Sequence, residues 1–182
     1  MQLDLENLLH PQDIHHDMYV VGTQEALGGI VKSMFKSSKA PMNNMISQTL
    51  GPDYVMLSSV SLTATHLVIF VSKRLSPLIS NVHVDTLATG FKNKLGNKGA
   101  VKISFKLVDK DFMFINCHLH SGLDGVAKRN HDIAMLMSKF VYKQDRLSPV
   151  IPDVELPDLL MLLGDMNYRI NGFKKSVAQA IQ

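Results

Sequence analysis

Five β-rich runs in series constrain the fold of this chain more than any other feature of its sequence. They are DYVMLSSVSLT (53–63), THLVIFVSK (65–73), LISNVHVDTLA (78–88), AVKISFKL (100–107) and DFMFINCHL (111–119). In AVKISFKL, apolar and polar residues alternate, which indicates a strand with one face in water. VDKD, a turn-like tetrapeptide, joins the last two runs. The middle of the chain is therefore predicted to consist mainly of strands.

Further elements are predicted on both sides of these runs. Apolar runs at DMYVVGTQE (17–25) and LLMLLG (159–164) predict two buried strands. Apolar residues at helical spacing predict helices in ALGGIVKSMFKS (26–37), VAKRNHDIAMLMSKFVY (126–142) and FKKSVAQAIQ (173–182). Loops are expected at residues 37–52 and in the proline-rich RLSPVIPDVELPD (146–158). Sheets inside and helices outside predict an α+β sandwich with no domain boundary.

Composition narrows the class of protein. Of the 182 residues 46% are hydrophobic, and the formal charge is +3, which suits a globular chain that tolerates an anionic partner. A nucleic-acid-binding protein would be expected to carry a stronger basic stripe. With Cys117 as the one cysteine, no internal disulfide is possible and a reducing compartment is favoured. No signal peptide or bilayer-spanning run is recognisable, so we expect a cytoplasmic protein whose membrane contact is peripheral.

Polar residues follow three of the predicted strands, where chemistry is commonly built. Glu25 could hold Mg²⁺, or could equally begin a helix. His118 and His120 lie two residues apart and could line one pocket, although a Zn²⁺ site would need further ligands. Asp165 could activate a water molecule and Asn167 could donate to charge in a transition state; the alternative is an ordinary turn.

A loop rich in glycine and lysine precedes the fourth β-rich run. TGFKNKLGNKGAVKISF (89–105) combines backbone that permits close approach with side chains that neutralise phosphate. Because it leads into a strand, it is not a Walker-type P-loop. It is either a phosphate-binding loop or a basic hairpin turn.

In this order, six stretches resemble the inositol polyphosphate 5-phosphatases, a branch of the Mg²⁺-dependent, DNase I-like endonuclease/exonuclease/phosphatase superfamily. The stretches are DMYVVGTQE, LVIFV, TGFKNKLGNKGAVKISF, NCHLHSG, KRNHDI and LLGDMNYRI, and the resemblance runs from about residue 13 to residue 182. GNKGAV and GDMNYR are specific to the 5-phosphatase branch. The resemblance implies a two-sheet β-sandwich flanked by helices.

The resemblance also implies residue roles. Glu25 would bind the metal and His118 would contact the scissile phosphate. Asp165 would position or activate the attacking water, and Asn167 would stabilise the transition state. Four residues in family motifs would bind substrate: Asn97, Lys98, Arg129 and Asn130. The implied reaction is Mg²⁺-dependent hydrolysis of the 5-phosphate from phosphoinositides or soluble inositol polyphosphates, with Mg²⁺ as Lewis acid.

The chain also departs from the family pattern. It has no tryptophan for the Thr-Trp-Asn type motif expected before the first matched strand, and no Ser-Asp-His segment follows Arg169. We therefore expect residues 1–182 to be a partial catalytic domain, incomplete at both ends, with weak or absent activity. His120 stands where the family more often has a small or hydroxyl residue.

Two alternatives follow from these departures. The chain could be a non-catalytic fragment or pseudoenzyme that binds inositol phosphates or a protein partner through the basic loop. It could also be another enzyme of the superfamily, such as a nuclease or a sphingomyelinase-like phosphodiesterase, although GNKGAV and NYR argue against that.

Overall fold

Two β-sheets form the centre of the structure, a computed structural model that describes residues 2–9, 15–25, 40–90, 98–142 and 156–169. The strands in this part of the chain are β1 (Met18–Gln24), β2 (Tyr54–Leu62), β3 (Thr65–Ser72), β4 (Ile79–Ala88), β5 (Gly99–Leu107), β6 (Lys110–His118) and β7 (Leu159–Asp165). The helices are α1 (Gln2–Leu9), α2 (Ala40–Leu50) and α3 (Val126–Leu136). A 3₁₀ turn covers Ser76–Leu78, and a π-helical segment, Met137–Val141, continues α3.

The sheets have different topologies. The first has the order β1-β3-β2 and is antiparallel. The second has the order β4-β5-β6-β7, in which β4, β5 and β6 are antiparallel neighbours and β7 runs parallel to β6. A parallel neighbour requires a long crossover, and α3 lies in that connection. The parallel pairing aligns the C-terminal ends of β6 and β7.

The strands β3 and β5 show how the layers are stacked. Leu67, Ile69 and Val71 of β3 point into a core shared with Val101 and Ile103 of β5, which therefore lies between the sheets. The alternate β3 residues Val68 and Phe70 pack instead with Ile46 and Leu50 of α2. On the far side of the second sheet, Leu136 and Phe140 pack over Ile115 and Cys117. The order helix, sheet, sheet, helix confirms the predicted α+β sandwich.

Period-two burial within β5 matches the sequence pattern. Val101, Ile103 and Phe105 are buried, whereas Lys102 and Ser104 between them are only partly covered. Side chains alternate across a strand, so one face of β5 joins the inter-sheet core. The predicted turn between β5 and β6 is also present, with Val108 at a positive φ of 56°.

The expectation of a loop at residues 37–52 is wrong for the part described, because residues 40–50 form α2. The helix buries Asn43, Ile46 and Leu50 on one face. Asn43 Oδ1 hydrogen-bonds to Nε2 of the buried His66, 2.9 Å away on β3. Packing against β3 therefore overrides a local composition that suggests a loop.

The expectation that β7 is fully buried is also wrong. Leu160 is 37% exposed and Met161 is 45% exposed. Within the described residues β7 pairs with β6 alone and so forms an edge of its sheet. An apolar run of five or six residues predicts a strand, but it does not specify a central position in a sheet.

Some predictions fall on residues outside the described ranges. They are the helices at 26–37 and 173–182, most of the loop at 146–158, and the part of the basic loop that contains Asn97. In the parts of the chain that the structure describes, no helix is both long enough and apolar enough to cross a bilayer.

Candidate active site

Three strands end at the same edge of the sandwich. The parallel register of β6 and β7 sets Cys117 opposite Gly164 and His118 opposite Asp165. Strand β1 belongs to the facing sheet and ends beside them, with Glu25 directly after Gln24. The amide of Glu25 donates to Ala64 O at 3.0 Å, and its φ of 51° turns the chain out of the strand. The structure therefore brings three of the candidate site residues, Glu25, His118 and Asp165, together at this edge.

The imidazole of His118 is the centre of this cluster. Its Nε2 atom lies 3.6 Å from Asp165 Oδ2 and 4.0 Å from Glu25 Oε1. The ammonium of Lys98 contacts the same nitrogen. The His118 side chain is 4% exposed, against 71% for Glu25 and 50% for Asp165. His118 therefore lies buried beneath two exposed carboxylates and one ammonium group. We call this group of four residues the cleft, with His118 as its floor.

Burial and nearby charges determine the protonation state of His118. Burial, reinforced by the Lys98 ammonium, lowers the pKa of His118, while Asp165 and Glu25 oppose the shift. The pKa of Lys98 is also lowered by burial, against the attraction of Glu25, Asp165 and Asp132. His118 is therefore a neutral imidazole near pH 7, and Nε2 accepts from Lys98. The ring proton then lies on Nδ1, which is buried without a partner among the described residues.

A buried asparagine joins the strands beneath the cleft. Asn116 lies on β6 and is fully buried. Its Nδ2 donates to His66 O at 2.7 Å and to Thr23 O at 3.3 Å, and its Oδ1 accepts from Gln24 Nε2 at 2.5 Å. These contacts connect β6 to β1 and β3 across the sandwich. They fix the positions of Glu25, which follows Gln24 directly, and of His118, which comes two residues after Asn116.

Two glycines permit the close approach of these strands. A Cβ at Gly22 would lie 2.8 Å from Asn116 Cγ and 2.6 Å from Leu163 Cδ1. At Gly164 the φ is +115°, and a Cβ there would lie 2.2 Å from Cys117 O. Only glycine combines this backbone conformation with such contacts. Gly164 therefore brings the β7 backbone against β6 immediately before Asp165.

The segment after β7 turns back instead of continuing as a strand. Asn167 has a φ of 54°, and its amide donates to Asp165 Oδ1 at 3.0 Å. Its side-chain Nδ2 donates to Leu119 O at 2.9 Å, and its Oδ1 accepts from Arg169 at 3.1 Å. Asp165 and Asn167 thus share one region because the chain turns at Asn167, beyond the end of β7.

Arg129 and Asn130 occupy different environments at the start of α3. Arg129 is fully buried, and its Nη1 donates to the carbonyls of His120 and Gly122 at 3.2 and 2.8 Å. In this structure the guanidinium holds the segment after β6. Asn130 is exposed, and its Oδ1 accepts from Tyr168 OH at 2.6 Å. The substrate-binding role of both residues remains a prediction, as does that of Asn97 outside the described ranges.

Sequence reasoning missed the buried partner of His120. Asp132 is 1% exposed, and its Oδ2 accepts from the Nδ1 and the backbone amide of His120 at 2.6 and 3.1 Å. The spacing of Arg129 and Asp132 on a predicted helix is the signal that could have revealed it, because residues three apart share a face. Asn116 was missed too, as it lies inside an apolar strand.

The side chains of the cleft suit some metal ions better than others. Among the described residues no group of three or more His, Cys, Asp and Glu side chains is arranged to hold one. Zinc is therefore not favoured here, because it uses three or four protein ligands. Mg²⁺ uses one or two carboxylates and keeps several waters, so the exposed carboxylate of Glu25, with that of Asp165 nearby, fits a hydrated hard cation.

Comparison with known proteins agrees with this geometry. The family model "Endonuclease/Exonuclease/phosphatase family 2" matches residues 1–182. Inositol-1,4,5-trisphosphate 5-phosphatase 1 of Schizosaccharomyces pombe is 33% identical over 177 residues, which cover 92% of this chain and 16% of that protein. The type II inositol 1,4,5-trisphosphate 5-phosphatase of Mus musculus is 31% identical over 160 residues, with 85% of this chain and 16% of that protein covered.

A solved structure shares the fold at comparable sequence identity. The inositol polyphosphate 5-phosphatase domain of SPsynaptojanin, in complex with inositol (1,4)-bisphosphate and calcium ion, superposes with a TM-score of 0.71 and 32% identity. The match covers 97% of this chain and 51% of that domain, so the chain spans about half the length of the solved domain. The chain belongs to the endonuclease/exonuclease/phosphatase family, and its resemblance within that family is to the inositol polyphosphate 5-phosphatases.

Proposed function

We propose that the chain carries the site of a metal-assisted phosphomonoester hydrolase that acts on the 5-phosphate of phosphoinositides or soluble inositol polyphosphates. The observation that carries the proposal is the cluster on His118 Nε2, which brings together the carboxylates of Asp165 and Glu25 and the ammonium of Lys98. The names of the relatives support the substrate class. Such a cluster offers positive charge for a phosphate and a base for water within one cleft.

Binding of the phosphate begins with Lys98 and His118. An arriving phosphate competes with His118 Nε2 for the Lys98 ammonium, which contacts that nitrogen in the structure. When Lys98 turns to a phosphoryl oxygen, the imidazole loses a neighbouring positive charge and gains a negative one. Both changes favour a proton on Nε2. His118 then donates to the phosphate, while Lys98 neutralises part of its charge.

Asp165 is the residue placed to act on water. Its Oδ1 accepts the amide of Asn167, and its Oδ2 faces His118 at 3.6 Å. The half-exposed carboxylate can therefore accept a proton from a water molecule that attacks the phosphate. Asn167 donates one Nδ2 hydrogen to Leu119 O, and its second hydrogen remains for an oxygen whose charge grows in the transition state.

Glu25 would hold the metal ion, which we propose to be Mg²⁺. When bound, the ion would polarise a phosphoryl oxygen and stabilise the leaving alkoxide. The carboxylate of Glu25 is well exposed, and its backbone is fixed by the hydrogen bond to Ala64. A phosphoinositide substrate would further require peripheral contact with a membrane surface, which we propose on the cytosolic side.

Phosphate release provides the direct test. The 182-residue chain would be supplied with Mg²⁺ and either a soluble inositol polyphosphate or a phosphoinositide in vesicles, with phosphate measured over time. We expect release that EDTA abolishes and that Asp165→Asn reduces strongly. Release from neither substrate would overturn the proposal. Binding of the soluble substrate without release would favour the alternative of a non-catalytic binding module.

A further inference from the structure

His120 is held at three of its atoms by α3. Its backbone amide and its Nδ1 both donate to Asp132 Oδ2, at 3.1 and 2.6 Å. Its carbonyl accepts from Arg129 Nη1 at 3.2 Å. The backbone and the ring are therefore both fixed. With Nδ1 committed to Asp132, the nitrogen left for another molecule is Nε2.

The residues that hold His120 are themselves fixed. Arg129 and Asp132 are 0% and 1% exposed on one face of α3. Arg129 also donates to Gly122 O, and its Nε and Nη2 have no hydrogen-bond partner within the described residues. Among the described residues this guanidinium binds carbonyls and no carboxylate, so none of them neutralises its positive charge by direct contact. That charge favours an anion near His120.

His120 lies beside the cleft and not on its floor. The amide of Leu119 donates to Asp165 O at 3.0 Å, and its carbonyl accepts from Asn167 Nδ2 at 2.9 Å. His118 therefore neighbours Asp165, and His120 is one step further out, next to the turn at Asn167. Its side chain is 29% exposed, against 4% for His118. Asp132 attracts the Lys98 ammonium, which belongs to the cleft. The pair of His120 and Asp132 is therefore within electrostatic reach of the cleft.

Two charged side chains contact His120 directly. Asp132 accepts from its amide and its Nδ1, and Arg129 donates to its carbonyl. Lys98, Glu25 and Asp165 belong to the neighbouring cluster on His118 Nε2, and Arg169 contacts Asn167. Because the carboxylate in contact with His120 is already bound to Nδ1, the guanidinium of Arg129 makes the surroundings of Nε2 more suitable for an anion than for a metal ion.

We propose that His120, oriented by Asp132 and carrying a proton on both ring nitrogens when an anion is bound, donates from Nε2 to a phosphate group of the substrate other than the one that is hydrolysed. The inference rests on the proposed function for the class of substrate. It makes His120 a residue that selects polyphosphates over monophosphates. His120 would not take part in the transfer of the phosphoryl group itself.

Binding measured without turnover tests this role. The full chain, in EDTA, would be titrated calorimetrically with inositol 5-monophosphate and with an inositol bisphosphate that carries the 5-phosphate. Loss of one charge-assisted hydrogen bond in His120→Ala should weaken bisphosphate binding about tenfold and monophosphate binding less than about twofold. His120→Gln retains a donor and should lose less. Asp132→Asn should lose selectivity in the same direction.

A matched control is available on the same helix. His131 is exposed and adjacent to Asp132, so His131→Gln should leave both affinities unchanged. Thermal unfolding would show whether each variant is folded. If His120→Ala does not fold, the affinities of His120→Gln decide whether His120 selects the bisphosphate.

The possible outcomes separate this inference from the proposed function. Equal losses for both ligands, no loss for either, or a wild-type chain without preference for the bisphosphate would overturn the inference. Phosphate release that depends on Asp165 would still support the phosphatase proposal in each of those cases. Selective binding without phosphate release would support His120 while contradicting hydrolysis.

Discussion

The Nε2 atom of His118 lies 3.6 Å from Oδ2 of Asp165, and the parallel register of β6 and β7 sets the two residues opposite each other. Because this contact places a carboxylate beside the proposed phosphate site, Asp165→Asn should lower the rate of phosphate release about 10²–10⁴-fold. The amide retains the shape of the side chain and an oxygen for the Asn167 amide. The fold should therefore be preserved, which circular dichroism would check.

Asp109→Asn is the matched control for this substitution. Asp109 is exposed in the turn between β5 and β6, at the opposite end of β6 from His118. The Asp109→Asn variant should release phosphate at the same rate as the unsubstituted chain. An Asp165→Asn variant with undiminished activity would contradict the role assigned to that carboxylate.

Asn116 should contribute more to stability than any exposed asparagine. Asn116→Ala would leave the carbonyls of Thr23 and His66 and the amide of Gln24 without their buried partner. We expect a loss of about 2–4 kcal/mol in the free energy of unfolding, since several polar groups are left unsatisfied. Urea denaturation would measure it. Asn44→Ala, at an exposed position of α2, should change stability by less than about 0.5 kcal/mol.

Alanine substitutions at Gly164 and Gly51 would distinguish the cost of backbone strain from the cost of steric overlap. Both have positive φ, at 115° and 81°, but a Cβ at Gly51 meets nothing within 4 Å. Gly51→Ala should therefore cost about 1 kcal/mol, the penalty of the conformation alone. Gly164→Ala should cost several times more, because its Cβ would overlap Cys117 O. Equal losses in a thermal or urea unfolding experiment would contradict the close β6–β7 approach.

Stability should fall on mild acidification because of His118. Burial and the Lys98 ammonium lower the pKa of His118, so the unfolded chain binds this proton more readily than the folded chain does. The stabilisation is complete above the ordinary histidine value of about 6.5 and is lost as the pH falls through it. His118→Gln should show a shallower decline in unfolding free energy between pH 8 and pH 5. His83→Gln, at an exposed position on β4, should retain the steeper one.

The thiol of Cys117 should be unreactive in the folded chain. Burial raises its pKa to about 12, and the side chain is 0% exposed. Only the thiolate attacks a disulfide reagent, so labelling at pH 8 should be undetectable without denaturant. In denaturant one thiol per chain should react, since the sequence has one cysteine. Rapid labelling of the native protein would show that the β6 end opens readily.

Local patterns predicted the strands and the candidate residues at their ends, because those features depend on periodicity and on where apolar runs stop. The alternation in β5 and the polar residues at the ends of β1, β6 and β7 are examples. Helix α2 was not predicted, since its composition suggests a loop and its buried face packs on β3, where Asn43 contacts His66. The exposure of β7 depends on its position in the sheet. The contact between His120 and Asp132 depends on how the segment after β6 packs against α3, which local patterns do not specify.

The residue roles assigned by resemblance remain predictions, although the structure brings four of those residues together around His118: Glu25, Lys98, Asp165 and, through Leu119, Asn167. The expectation that the chain is a partial domain with weak or absent activity is likewise a prediction, and the phosphate-release experiment addresses its activity.

The parallel pairing of β6 with β7 has a consequence for how the site forms. The hairpin of β5 and β6 closes over a turn of a few residues, whereas His118 meets Asp165 only after the long connection containing α3 has closed. Contacts between distant segments carry a larger loop-closure entropy and generally form later. During synthesis from the N-terminus, His118 would therefore be ordered before Asp165, the carboxylate proposed to act on water, arrives beside it. The pairing of β6 with β7 would then complete the cluster on His118 late in folding.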